Sequence, residues 1–426
     1  MTLRQLPLHL LIALALLSTP MAAQPAEAPL DLQTLIREAL TNNPDLQSLE
    51  NAALAAEARV PQAGALPDPV LSFNLMNLPV NSFDFDQEPM TGKQIALMQK
   101  FPFPGKQGLR EEIARDQATV MDFRYRELRN QLVRNVKIAY YRLYLIDKSI
   151  AITRKNAEVL EEFTKIAESK YSVGRGLQQD VLRAQVELSK ITDRLIDLQQ
   201  RRDAQEAALN ALLDRSPDAP LGAVPDLDFS ALAVTLPQLR DSADANRPLL
   251  LAWETSVRQN EKQVGLARKG YLPDFSLGIA YSQRDVLKSG IGGVDFLSGM
   301  VNVEVPLYFW RKQRKQVEES RYGLGATQRR LREVRNGVYA ELETLRSDIE
   351  RNKRRLDLYR TGILPQARQS LESAIAGYQT DKVDFLTLLN NQINLFNFEL
   401  DYFRILSDYH INLARLEAAV GASLTP

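Results

Sequence analysis

The longest regular pattern in the chain lies between Gly105 and Lys170, a stretch with no proline and, after Gly108, no glycine. Within it Leu132, Val136, Ala139, Leu143, Ile146 and Ile150 recur at alternating spacings of four and three, the seam of a helix packed lengthwise on other helices. At 1.5 Å per residue such a helix reaches roughly 100 Å. A second stripe, Val133, Tyr140, Tyr144 and Ala151, lies beside the first, so neighbours are expected on two sides. Arg124, Arg126, Glu127, Arg129 and Arg134 fit a face left in water.

Upstream, Leu30 to Leu40 has helical spacing and stops at Asn42-Asn43-Pro44; a second helix is expected from Pro44 to about Ala63, broken by Pro67-Asp68-Pro69. The period then becomes two. Leu71, Phe73 and Leu75 alternate with Ser72, Asn74 and Met76, and after a polar loop Ile95, Leu97 and Phe101 alternate with Gln94, Ala96, Met98 and Lys100. The long helix follows Pro102 and Pro104 and ends at Tyr171-Ser172-Val173-Gly174-Arg175-Gly176, where glycine permits a tight reversal. Val181, Ala184, Leu188, Ile191, Leu195 and Leu198 predict a return helix that continues to Leu213.

The same programme then starts again. Asn246-Arg247-Pro248 mirrors Asn42-Asn43-Pro44, and Leu272-Pro273-Asp274 mirrors Leu66-Pro67-Asp68. Phe275, Leu277, Ile279 and Tyr281 alternate with small residues; Val301, Val303 and Val305 alternate with Met300, Asn302 and Glu304. A long helix from Trp310 to about Gly377 is expected, kinked at Pro365, then a final helix from Val383 to Ala419. The expected organisation is therefore a leader over 1–28, a first unit over 29–215 (strands about 70–76 and 93–101, helical hairpin 105–213), a linker over 216–234 and a second unit over 235–426 (strands about 275–282 and 298–305, hairpin 310–420). Four strands cannot close a barrel, and an open sheet in lipid would leave unpaired edges, so several chains must associate.

Composition narrows the function. Lys plus Arg (53) equal Asp plus Glu (53), which offers no basic tract for nucleic acid. The absence of cysteine removes disulfides, thiol catalysis and an acylated N-terminal cysteine. Arg4, the apolar run Leu8 to Leu17 and small residues at Met21-Ala22-Ala23 or Ala26-Glu27-Ala28 read as an export signal. No catalytic constellation, cofactor motif or metal-ligand cluster appears: besides His9 in the leader there is only His410, and Met76, Met98 and Met300 read as filler of a wet interior. An enzyme is not expected.

The twofold order of elements, Asn-Pro and Pro-Asp before the strands, Tyr-x-x-Gly at 171–174 and Tyr-x-x-Asp at 378–381 together resemble the TolC-like outer-membrane efflux family over essentially the whole mature chain. Phe101-Pro102-Phe103-Pro104-Gly105-Lys106, the stretch Val173 to Leu182 and the stretch Lys382 to Leu389 are similar to its heavy-metal (CzcC- and CusC-like) branch. The resemblance implies a mainly α fold with a transmembrane β part: long antiparallel hairpins forming an α-barrel, and four strands per chain contributing to a trimeric 12-stranded β-barrel. It implies a passive, gated exit duct in the outer membrane of a Gram-negative cell, with a long periplasmic extension, for solutes such as heavy-metal cations. The expected partners are two further copies, outer-membrane lipid, a periplasmic adaptor and an inner-membrane RND-type pump. A multidrug or type I secretion channel of the same fold is the alternative. A periplasmic adaptor fits less well, since it normally carries one hairpin between compact β modules.

By the same resemblance, Asp180, Asp381 and Asp384 are candidates for a periplasmic gate, with Arg175 and Lys382 as ion-pair locks; the bland reading of Asp180 and Asp384 is that they start helices. Tyr171, Val173, Gly174 and Tyr378 are candidates for adaptor contact. Lys100 and Glu304 share strand parity with Asn74 and Ser276 and are expected to face the aqueous interior. Phe73, Phe101, Phe103, Tyr271, Tyr281, Tyr308, Phe309 and Trp310 cluster near strand ends, as interface girdles do.

Overall fold

The structure is a computed structural model that describes residues 29–229 and 234–424. The leader expected at 1–28 lies outside the described residues. Two short helices open the fold, α1 (Leu32–Asn42) and α2 (Pro44–Gly64). The Asp31 carboxylate caps α1 by accepting from Thr34 N–H at 2.8 Å. The Asn-Pro pair divides the two helices: the Asn43 side chain accepts from Leu46 N–H at 3.1 Å, and Pro44 occupies the first turn, where no amide partner is lost.

Strands β1 (Val70–Met76) and β2 (Gly92–Phe101) lead into α3 (Lys106–Ser172), an unbroken helix of 67 residues, about 100 Å long. Return helix α4 (Gln178–Leu213) lies along it. In the second half α5 (Leu236–Asn246) and α6 (Pro248–Lys269) precede β3 (Asp274–Gln283) and β4 (Phe296–Glu304). Then come α7 (Gln313–Leu358), a π-helical turn (Tyr359–Ile363), α8 (Leu364–Gln379) and α9 (Phe385–Val420). The sequence places a kink at Pro365; the backbone instead widens by a π turn just before it, which absorbs the amide that proline cannot supply. The second of the two longest helices, α7, starts at Gln313 rather than Trp310, because Leu307 to Lys312 is turn structure.

The strands form one antiparallel meander in the order β1-β2-β3-β4. Its register sorts most side chains by face, with Lys93 and Gln99 on the apolar side and Phe296 on the polar one as exceptions. Phe73, Ile95, Tyr281 and Leu297 stand in one cross-strand row, and Leu71, Leu97 and Ile279 in the next. The opposite face carries Ser72, Ala96, Ala280 and Ser298 in one row and Asn74, Gln94 and Ser282 in another, the latter linked by hydrogen bonds of 3.2 and 3.0 Å. The apolar face is uncovered: Phe73 is 73% and Leu297 78% exposed.

The core runs along the helices, where Leu132, Val136, Leu143, Leu342, Ile349, Leu388 and Tyr409 are buried. Of the two stripes read on α3, Ile146 and Val133 are only half-buried and Ala151 is exposed. The chain's accessible surface is 26803 Å², against ~16,500 Å² for a compact monomer of this mass. So thin a body leaves much apolar surface unmatched.

Candidate functional site

The two helical reversals meet at the end of the stalk farthest from the sheet, and they are built alike. In the first, Gly174 takes φ 72° and Arg175 N–H donates to Lys170 C=O at 2.8 Å; in the second, Asp381 takes φ 58° and Lys382 N–H donates to Gly377 C=O at 2.9 Å. The residue three after each tyrosine is thus the left-handed cap of its helix, a conformation open to glycine and tolerated by aspartate. That explains the Tyr-x-x-Gly and Tyr-x-x-Asp pattern.

Asp381 forms an ion pair with Lys170, in the last turn of α3. The same ammonium donates to Tyr378 C=O and sits 4.3 Å from the Tyr378 ring centre. The bond to Lys170 holds the Asp381 carboxyl below the usual carboxylate range. Asp384 is the N-cap of α9: its carboxylate accepts from Thr387 N–H at 2.7 Å, and that residue's hydrogen bonds lower its pKa too. Asp180 lies in the first turn of α4, near enough to Tyr378 to help raise the phenol's pKa, although burial is the larger cause.

Of the expected locks, neither Arg175 nor Lys382 forms an ion pair among the described residues; Arg175 acts on Asp381 only through its field. Lys170 holds that place instead. The sequence carried no local sign of it, because the partners are 211 positions apart. Tyr171 and Val173 are 49% and 67% exposed and a side chain at Gly174 would meet open space, so this turn is free to touch another molecule. Tyr378 is corrected: at 6% exposure, with its ring 5.6 Å from that of Phe385, it is a packing residue.

At the other end of the stalk, Lys100 and Glu304 pair at 2.6 Å on the small, polar face of the sheet. A second pair went unread in the sequence. Lys106 Nζ lies 2.7 Å from Asp274 Oδ1 and 2.8 Å from Leu272 C=O, while the same Asp274 oxygen accepts from Phe103 N–H at 2.8 Å. The Pro-Asp motif before β3 therefore pins the Phe-Pro-Gly-Lys turn that launches α3, with Gly105 at φ 83°.

Among the described residues no group of three His, Cys, Asp or Glu could hold a metal, and no helix is long and apolar enough to cross a membrane. His410 stacks on Tyr141 at 5.0 Å, and burial pushes its pKa down to about 4.

A sheet with one bare apolar face and one mainly polar face, carried on a helical stalk of about 100 Å, has the build of a membrane-anchored conduit. The chain belongs to the outer membrane efflux protein family, whose pattern matches residues 35–215 and 239–422, one match in each half. It is similar to the outer membrane efflux protein BepC of Brucella suis biovar 1 (26% identity, covering 81% of this chain and 74% of that one). It is also similar to the cobalt-zinc-cadmium resistance protein CzcC of Cupriavidus metallidurans (19% identity, 94% and 92%). Its fold matches the solved channel CusC with a TM-score of 0.78 at 17% identity, over 93% of this chain and 94% of that one. The protein is accordingly an outer-membrane efflux channel with its helices in the periplasm.

Proposed function

We propose that three copies assemble into one gated exit duct that receives solutes from an inner-membrane pump of the RND type through a periplasmic adaptor, and that its cargo is heavy-metal cations. The observation that carries the assembly is the sheet: four strands per chain, two open edges, one mainly apolar exposed face and one face of small and polar residues. Unpaired edges are not tolerated in lipid, and twelve strands remove them. Leu182, Val186 and Ile196, all more than half exposed on α4, supply apolar surface for a neighbouring stalk.

The cation reading rests on the CzcC likeness, which spans nearly the whole of both chains, and on the tip carboxylates Asp180, Asp381 and Asp384, each of which becomes a ring of three. A duct needs no tight metal site, since strong binding slows release. Tyr171, Val173 and Gly174 form the adaptor-facing turn, and Lys100 with Glu304 lines the aqueous interior where barrel meets stalk. Deleting the gene is expected to sensitise cells to cobalt, zinc or cadmium more than to hydrophobic drugs. The reverse profile favours a multidrug or secretion channel of the same fold and overturns the metal assignment.

A further inference from the structure

Between β4 and α7 the chain carries a segment with no counterpart after β2. Pro102 lies four positions before Lys106, where α3 begins; the matching Pro306 lies seven before Gln313, where α7 begins. This longer connection presents Leu307, Tyr308, Phe309 and Trp310 to the outside, each at least half exposed. The rings are not splayed at random. Phe309 meets Trp310 edge-on at 5.2 Å, Tyr308 meets Trp310 at 6.2 Å, and Phe309 leans toward Tyr271 at 6.5 Å. A tight turn holds them: Arg311 and Lys312 N–H donate to Tyr308 C=O at 3.1 and 3.0 Å, and Arg314 N–H to Phe309 C=O at 2.9 Å.

Directly behind the rings stand Arg311, Lys312, Arg314 and Lys315, all exposed, with no acidic residue from Val305 through Val317. Lys315 reaches Glu318 at 2.6 Å; the other three form no ion pair among the described residues.

We propose that this turn binds the headgroup of an anionic phospholipid in the inner leaflet of the outer membrane. Val301 and Val303 lie on the apolar face of β4 and the exposed Val305 and Leu307 follow it, so the rings sit where the hydrocarbon ends, the depth that tryptophan and tyrosine favour. The bases follow within one turn, at the depth of phosphate. Arginine's planar fork matches a phosphodiester, and four cations, of which only Lys315 is paired with a carboxylate among the described residues, select a headgroup with net negative charge over a zwitterion. The chain has no cysteine to acylate, so three such contacts in a trimer would fix the height of the barrel in the membrane. The inference holds whatever the cargo.

The test uses the full chain in mild detergent, with lipid retention followed by native mass spectrometry and thermal unfolding after adding phosphatidylglycerol, phosphatidylethanolamine or inorganic phosphate. Each effective cation near an anionic surface is worth about fivefold in binding, so phosphatidylglycerol is expected to be retained at least ~10-fold over phosphatidylethanolamine. Replacing all four (Arg311→Gln, Lys312→Gln, Arg314→Gln, Lys315→Gln) is expected to abolish that preference, while exchanging Arg311→Lys with Lys312→Arg keeps it. If the fourfold variant fails to assemble, Arg311→Gln and Lys312→Gln singly decide, each losing about fivefold. No preference in the parent chain, an unchanged preference in these variants, or equal stabilisation by inorganic phosphate would overturn the proposal.

Discussion

Lys170 and Asp381, 211 positions apart in sequence, are joined by an ion pair that ties the end of α3 to the turn between α8 and α9. The first hairpin thereby holds the tip of the second. Such a tie stabilises whichever arrangement of the tips it is made in, so removing it shifts the balance toward the other. In planar bilayers, Lys170→Met is expected to change the open fraction several-fold, and Asp381→Asn to change it in the same direction. Unchanged gating in both would remove the pair from the gate.

Proton concentration should matter little there between pH 5 and 8. Both Asp381 and Asp384 have folded-state pKa values below the ordinary carboxylate range. A depressed carboxylate contributes stability above its unfolded pKa and loses it only as pH falls through the folded value. Single-channel traces at pH 5 and pH 8 should show the same gating. By contrast, Asp381→Ala combined with Asp384→Ala is expected to change conductance and weaken cation selectivity; identical currents would exclude these carboxylates from the passage.

His410 gives a pH dependence of stability rather than of gating. Its folded pKa of about 4 lies below the ordinary 6.5, so the unfolded chain binds the proton first and stability falls as pH drops from 6.5 toward 4. The full span is worth about 3 kcal/mol per chain. Thermal unfolding at pH 7.5 and 5.0 should show a drop that His410→Phe largely removes.

The Lys106–Asp274 pair is mostly buried at a junction of both halves, with side chains 9% and 16% exposed. Asp274→Ala strands an ammonium there and is expected to cost about 2 kcal/mol, somewhat less than for a fully buried pair. Lys106→Met with Asp274→Leu should cost less than the single change. Heat-resistant assemblies on gels would report both.

The β2–β3 register sets Phe101 opposite Phe275. Aligning Pro102 with Pro306 and Pro67 with Pro273 carries that register to the free edges, where Val305 would face Pro69 of a neighbouring copy and Asn302 would face Ser72. In a chain without cysteine, Asn302→Cys with Ser72→Cys should cross-link chains on mild oxidation, whereas Asn302→Cys with Leu71→Cys, on opposite faces, should not. Cross-linking of the second combination alone would displace the register.

Strand alternation and heptad spacing were legible in the sequence because burial imposes a local period: Leu71, Phe73 and Leu75 share a face, and Val136 and Leu143 a seam. The turn glycine and aspartate were legible for a related reason, since backbone conformation restricts residue type locally. Lys170 and Lys106 were not, because salt bridges across 211 and 168 positions leave no periodic trace. Tyr378 misled because its exposed mate Tyr171 sits in the same motif; only the packing of Phe385 against one of them tells them apart.

The π turn at Tyr359–Ile363 makes the two hairpins mechanically unequal. Helix α3 is an unbroken rod, but the outgoing helix of the second hairpin contains a joint, with Gly362 inside it and Pro365 just beyond. That arm of the second hairpin is therefore interrupted 18 positions before Asp381, whereas the arm that carries Lys170 to meet it is continuous, so the ion pair joins a rod to a jointed strut.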